Sequence, residues 1–319
     1  MIITDYFRSE KDITWDYAKQ CGVSHGVIRL PENADFDLTD KTHWERVYKR
    51  FTDYGITPLV IEPMPNEVHD HIKTGDIYRD ESIEKVLKMF PIMQELGITT
   101  ICFNWMAHIG WLRTKSDIVE RGGATVTGFS LDDFQSKQGV SITEKELWGN
   151  YSYFLRAVIP VAEKYGIKLA LHPDDPPLAR LDDVSRIMVS VENIKKAIYD
   201  IYPSENLGIT MCQATYYMMG ADLEKTITEL ADKIMFVHFR NTTGIKTAFR
   251  ETFHDNGDLD MGKLIRLYFD LDINVPIRVD HVPTLKGEAT QIAGYAAQGR
   301  LFAIGYLKGL LEATVGEKK

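Results

Sequence analysis

Cysteine is scarce in this 319-residue chain: Cys21, Cys102 and Cys212 are all there is, an odd number at uneven spacing. That argues against a disulfide framework, and a core of this length needs no cross-links to fold. Long apolar runs are missing too. No stretch approaches the roughly 18 uninterrupted apolar residues of a membrane-spanning helix. The opening residues MIITDYFRSEKD carry charge, with neither an apolar run nor a small-residue cleavage site. Neither a signal peptide nor a membrane span is expected, and the expected compartment is the reducing cytoplasm. Positive charge is outweighed, 37 Lys and Arg against 46 Asp and Glu, for a net charge of -9. Nucleic acid and anionic membrane surfaces are therefore excluded as partners. An anionic substrate has to be met by local arginines or lysines. No Gly-x-Gly-x-x-Gly follows the first β-rich run, which removes the main support for a dinucleotide-binding sheet.

What is present is alternation. Strands are predicted at Ile2–Phe7, Ser24–Leu30, Thr57–Glu62, Thr99–Trp105, Lys168–His172, Leu207–Cys212, Ile234–Phe239 and Pro276–Asp280. Helical patterns separate them, at Ile13–Cys21, His43–Tyr54, Ser82–Leu96, Leu147–Tyr165, Val191–Tyr202, Leu223–Ala231 and Met261–Phe269, with Gly299–Leu311 last. Gly22, Gly55, Gly97 and Gly166 sit where helices end, as left-handed caps require. Eight strand–helix units at this length predict a single (β/α)8 TIM barrel, one α/β domain over residues 1–319. Residues 106–143 are too many for a simple connection after strand four. They are expected to form an active-site insertion over the barrel mouth, acting as a lid.

The C-terminal ends of the last four strands carry the chemistry. Strand five runs into His172, followed by Pro-Asp-Asp-Pro-Pro, whose prolines stop the strand and stiffen the turn. Strand six ends in Cys212, strand seven near His238, strand eight in Asp280. In a barrel these ends ring one mouth, so two imidazoles, a thiolate and a carboxylate can converge on a divalent transition metal such as Mn, Fe or Zn. Taken singly, each has a plainer role: a satisfied polar histidine, a small core cysteine, an N-cap aspartate. Coincidence at four consecutive strand ends favours the metal. His281 is a candidate acid or base. Arg278 and Arg240, each two residues from a proposed ligand, are candidates to hold a substrate carboxylate, or else to pair with Asp174, Asp175 or Asp258. Asp174 and Asp175 are expected to brace the loop or its arginines, not to bind metal.

Several segments, Phe103–Met106, Trp111–Thr114, Ala157–Ala162, His172–Pro177, Thr210–Cys212, Asn256–Met261, Arg278–His281 and Gly294–Arg300, resemble the mannonate dehydratase family. The resemblance implies a barrel related to xylose isomerase, a bound Mn²⁺-type ion (Fe²⁺ being the second choice) and a role in hexuronate catabolism. The implied reaction removes water from D-mannonate to give 2-keto-3-deoxy-D-gluconate, so a small sugar acid is the expected partner and a homo-oligomer the expected assembly. It also implies His172, Cys212, His238 and Asp280 as ligands and His281 with Tyr295 as the proton-transfer residues; nothing in the periodicity points to Tyr295. The chain departs from the family pattern at Thr4–Arg8, Gly110, Gln213–Tyr217 and Val282, positions on the substrate side. Two alternatives stand beside a dehydratase: a xylose-isomerase-like isomerase or epimerase, and a non-catalytic sugar-acid-binding homologue.

Overall fold

Eight parallel strands close on themselves in the computed structural model, which describes residues 1–289 and 292–316. They are β1 (Ile2–Phe7), β2 (His25–Ile28), β3 (Thr57–Ile61), β4 (Thr100–Phe103), β5 (Lys168–Leu171), β6 (Leu207–Cys212), β7 (Ile234–Phe239) and β8 (Pro276–Val279). Each pairs with its predecessor, and β8 closes on β1 from Ile2↔Pro276 to Thr4↔Arg278. Every residue of β6 and β7 is buried. One face lies inside the barrel and the other under helices, which is why these strands read as apolar runs without alternation. Inside, Tyr6, Val27, Val60, Cys102, Ala170, Met235 and Phe236 form a small cluster. This is the predicted (β/α)8 barrel.

Helices α1 (Ile13–Gln20), α2 (Lys41–Asp53), α3 (Asn66–Thr74), α4 (Arg79–Glu95), α5 (Glu144–Tyr165), α6 (Val191–Lys195), α7 (Gln213–Met218), α8 (Leu223–Glu229), α9 (Met261–Asp270) and α10 (Ala297–Gly316) surround it. The glycines predicted to end helices do so, with φ of 77° at Gly22, 73° at Gly55, 71° at Gly97 and 65° at Gly166. Helix α5 opens on a reciprocal capping box between Thr143 and Glu146. Two helices were not predicted. In α3 the inward face carries His69 and Lys73 beside Val68 and Ile72, which blurs its amphipathic pattern. All of α7 except Tyr217 is buried, so it has almost no polar face to register. Among the described residues no helix is long and apolar enough to cross a membrane.

Within 106–143, strands Lys115–Val119 and Thr125–Ser130 form an antiparallel pair. The second strand continues onto Ala248–Glu251, itself paired with Thr242–Ile245, making a four-stranded sheet shared with the loop after β7. Thr125 also bridges to Thr284 beyond β8. The sheet is close-packed at Gly128, where an added Cβ would come within 2.8 Å of the Phe249 carbonyl oxygen. The segment predicted as a lid is thus woven into the loops after β7 and β8.

His254 follows this sheet, fully buried, its Nε2 donating to the Phe239 carbonyl at 2.8 Å. Burial pushes its imidazole down to about 4. An unfolded histidine takes up a proton near pH 6.5 and this one only near 4, so the stability present above 6.5 is lost as pH falls between those values. The loss amounts to about 2 kcal/mol by pH 5. His254→Gln, whose amide nitrogen replaces the Nε2 donor, is expected to flatten the fall in urea midpoint between pH 7 and pH 5. An equal fall in both proteins would remove His254 from the acid response.

Candidate active site

The C-terminal strand ends open into a cavity of about 890 Å³, lined among others by Glu62, His172, His238, Arg278, Asp280, His281 and Tyr295. His172 comes directly after β5. Its Nδ1 donates to the carbonyl of Pro173 at 2.6 Å, which leaves Nε2 as the ring nitrogen for other contacts. Cys212 and His238 are register partners on β6 and β7. One donor atom from each of His172, Cys212 and His238 lies within 4.8 Å of those of the other two. The His172 and His238 rings are 4.9 Å apart, centroid to centroid.

The electrostatics favour a cation here. Burial alone would raise the Cys212 thiol, but the Arg240 guanidinium and His172 hold it well below the usual range. Arg240 Nε donates to its Sγ at 3.4 Å, and Thr215 Oγ1 lies 3.1 Å away. Cys102, within β4, goes the other way: burial, with Glu62 nearby, pushes it up to about 11. His238 is buried, and its Nδ1 has no hydrogen-bond partner. Burial and Arg278 would lower its imidazole, but Glu62 and Asp280 hold it well above its usual value. A buried orphan nitrogen beside a thiolate and two carboxylates is a donor set suited to a divalent transition metal, and these residues fit one.

Asp280 stands at the edge of this trio, its Oδ2 3.7 Å from His238 Nδ1. Arg278 Nη1 and Arg240 Nε hold its two oxygens at 2.9 and 3.0 Å. His281, Arg278, His238 and Arg240 outweigh burial to keep its carboxyl well below the ordinary range. Three of the four predicted ligands therefore converge, with the fourth carboxylate adjacent.

The two arginines separate. Arg278 lines the cavity, its Nε and Nη2 gripping Glu62 at 2.8 and 2.9 Å. Arg240 takes the other role open to it, away from the cavity, pairing with Asp175 at 2.6 Å. It is wholly buried, and its donors go to Asp175, Glu251, Thr215, Cys212 and Asp280, with Nη1 also 3.2 Å from His281 Nδ1. Asp175 braces arginines as expected, accepting two bonds from Arg113 and one from Arg240. Asp174 accepts from the Met188 N–H.

His281 and Tyr295 meet across the cavity wall, Nε2 to Oη at 3.2 Å. On the other side of the imidazole, Nδ1 lies 2.6 Å from Glu251 Oε1. Burial raises the Tyr295 phenol well above its usual value, so it stays protonated. Trp111 lies over His281, ring centroids 4.8 Å apart, and remains 39% exposed on the cavity side.

Glu62, Glu251 and Arg113 were not picked out from the sequence. Glu62 carried the same signal as His172, a polar residue at a predicted strand end with proline next. Arg113 lies within the Trp111–Thr114 segment. Nothing marks Glu251, which sits on a four-residue strand and whose side-chain partners Arg113 and Thr127 are more than a hundred residues away.

A family model described as D-mannonate dehydratase (UxuA) matches residues 1–140 and 130–319. The chain is 32% identical over 293 aligned positions to a mannonate dehydratase of Streptococcus equi subsp. zooepidemicus, covering 82% of this chain and 79% of the relative. The crystal structure of mannonate dehydratase from Streptococcus suis serotype 2 superposes with a TM-score of 0.91 at 29% identity, covering 100% of this chain and 94% of that one. A D-tagatose 3-epimerase-like protein shares the fold alone, with a TM-score of 0.66 at 13% identity and full coverage of both chains.

Proposed function

The chain belongs to the D-mannonate dehydratase family and is a hydro-lyase of that type, and from that premise we propose that it removes water from D-mannonate to give 2-keto-3-deoxy-D-gluconate. The observation that carries the reading is the His281–Tyr295 contact at 3.2 Å beside the His172–Cys212–His238 cluster. His172, Cys212 and His238, with Asp280 as the fourth donor, would hold a divalent cation, Mn²⁺ ahead of Fe²⁺. Bound there, such an ion supplies Lewis-acid stabilisation of the negative charge that develops when a carbon next to a carboxylate loses its proton.

The chain's own groups do the rest. Arg278, on the cavity wall, provides fixed positive charge for the substrate carboxylate, with Glu62 holding its fork in place. One member of the His281–Tyr295 pair takes the proton from the carbon beside the carboxylate. The other delivers a proton to the hydroxyl leaving the next carbon. A phenol kept neutral by burial suits the donor's part, and an imidazole suits the acceptor's. The resulting enol relaxes to the 2-keto-3-deoxy acid. The overlying Trp111 narrows the access of water to the pair.

Purified protein reconstituted with Mn²⁺ and offered a panel of aldonates is expected to yield a 2-keto-3-deoxy acid from D-mannonate, lighter than the substrate by one water. No product from D-mannonate, with metal shown to be bound, would sink this assignment. A product of unchanged mass would support an isomerase or epimerase instead, and binding without turnover a non-catalytic homologue.

A further inference from the structure

The carboxylate of Glu251 lies at a meeting point of the cap and the barrel. Its Oε1 faces His281 Nδ1 at 2.6 Å, Arg113 Nη2 at 2.6 Å and Arg240 Nη1 at 2.5 Å. Its Oε2 accepts from Thr127 Oγ1 at 2.5 Å. All five side chains are nearly or wholly shielded from solvent. The four partners come from separate places in the chain: the excursion after β4 (Arg113), its second strand (Thr127), the residue after β7 (Arg240) and the second residue after β8 (His281). A carboxylate tethered from four directions cannot rotate away.

From this geometry we infer that Glu251 is the positioning residue for His281, accepting the Nδ1–H of its imidazole and so turning Nε2 toward Tyr295. The opposite tautomer would set a nitrogen lone pair against a carboxylate oxygen 2.6 Å away, a closer contact than the 3.2 Å from Arg240 Nη1 to the same nitrogen and one that the tethers prevent from relaxing. With the tautomer fixed, His281 Nε2 is the acceptor in the 3.2 Å contact and Tyr295 the donor. Glu251 thereby assigns the two parts in proton transfer, with His281 as base and Tyr295 as acid.

The same carboxylate also holds the cap. Arg113 and Arg240 each bridge Glu251 and Asp175, a closed arrangement of two cations and two anions. Asp175 lies three residues after His172, so the loop that presents a proposed ligand and the sheet that covers the mouth both end at the group orienting the base. A purely structural Glu251 would serve the cap alone. A positioning Glu251 serves the proton transfer as well.

The inference rests on the dehydratase reading, so the wild-type Mn²⁺ enzyme is assayed first. If it dehydrates no aldonate, that reading fails and takes this one with it. Given wild-type turnover, Glu251→Gln keeps the shape and removes the charge that pins the tautomer. It is expected to retain bound Mn²⁺ and folded circular dichroism, to leave KM within about threefold, and to lose kcat by about 10²-fold or more, as uncharging a histidine's orienting partner does elsewhere. Arg113→Gln breaks the same cap network without touching His281. Its kcat is expected to stay at least tenfold above that of Glu251→Gln, even where the two are equally destabilised. If Glu251→Gln does not fold, Glu251→Asp is read in its place, with at least a tenfold loss of kcat expected from a carboxylate too short to reach both His281 and Thr127. A kcat within threefold of wild type, or equal losses in the Glu251 and Arg113 variants, would overturn the positioning role.

Discussion

Tyr295→Phe is expected to leave the fold and the metal content intact while lowering kcat on D-mannonate by about 10²- to 10⁴-fold, the range that a positioned acid or base contributes. The ring stays, and with it the packing against Tyr6, whose centroid is 5.4 Å away, and the edge contact with His281 at 5.2 Å. Only the hydroxyl is removed. Burial holds that phenol protonated, so at neutral pH it has a proton to give and almost no tendency to lose it unprompted. Because His281 Nε2 is its hydrogen-bond partner, the variant leaves that nitrogen facing an apolar edge, and proton traffic must pass through water instead. KM should move little, since one lost hydroxyl contact with His281 leaves Arg278 and the metal donors in place. Steady-state kinetics beside a metal analysis of the same preparation check this. Near-normal turnover would remove Tyr295 from the proton-transfer pair.

Cys212→Ser is expected to weaken retention of the divalent cation by more than about 10²-fold, beyond what loss of an outer-shell partner costs. The thiol is already disposed to ionise, because Arg240 and His172 outweigh the burial that opposes charge. A serine hydroxyl at the same place stays neutral and hard, so the site loses both a negative charge and its one soft donor. The loss is sharpened by the neighbours: Arg240 keeps its positive charge beside the vacated sulfur, now with one anion fewer to offset it. Metal per chain after exhaustive dialysis is the measurement, with turnover expected to return in part at high added Mn²⁺. Unchanged metal content would take Cys212 out of the ligand set. Cys102, also buried but beside Glu62, is pushed up to about 11 despite His238 nearby, so burial in this site does not by itself make a thiolate.

The sequence by itself determined the barrel and most of the cluster, because both depend on local features. Helix ends need left-handed residues, and glycines stood at those positions with φ near 70°. Buried parallel strands need continuous apolar runs, and prolines and polar residues mark where such runs stop. The ends of β5 to β8 could therefore be read along the chain, and His172, Cys212 and His238 do meet. The strand limits were read one or two residues too wide at β2 and β4, where pairing stops before the apolar run does.

Tertiary structure alone decided which charges face which. Arg240 and Arg278 looked equivalent, each two residues from a proposed ligand. Arg278 lies inside β8, in register with His238, where alternation holds and brings it to the cavity. Arg240 lies past the last residue of β7, where the strand period no longer applies, and it turns into the buried network with Asp175 and Glu251. Glu251 itself could not have been found by pattern. Its meaning comes from Arg113 and Thr127, 138 and 124 residues away, and from His281, 30 residues away, brought together by a sheet that joins distant segments of the chain. Donor atoms at strand ends follow from chain order in a barrel; the charges that orient them follow from which distant segments fold across its mouth.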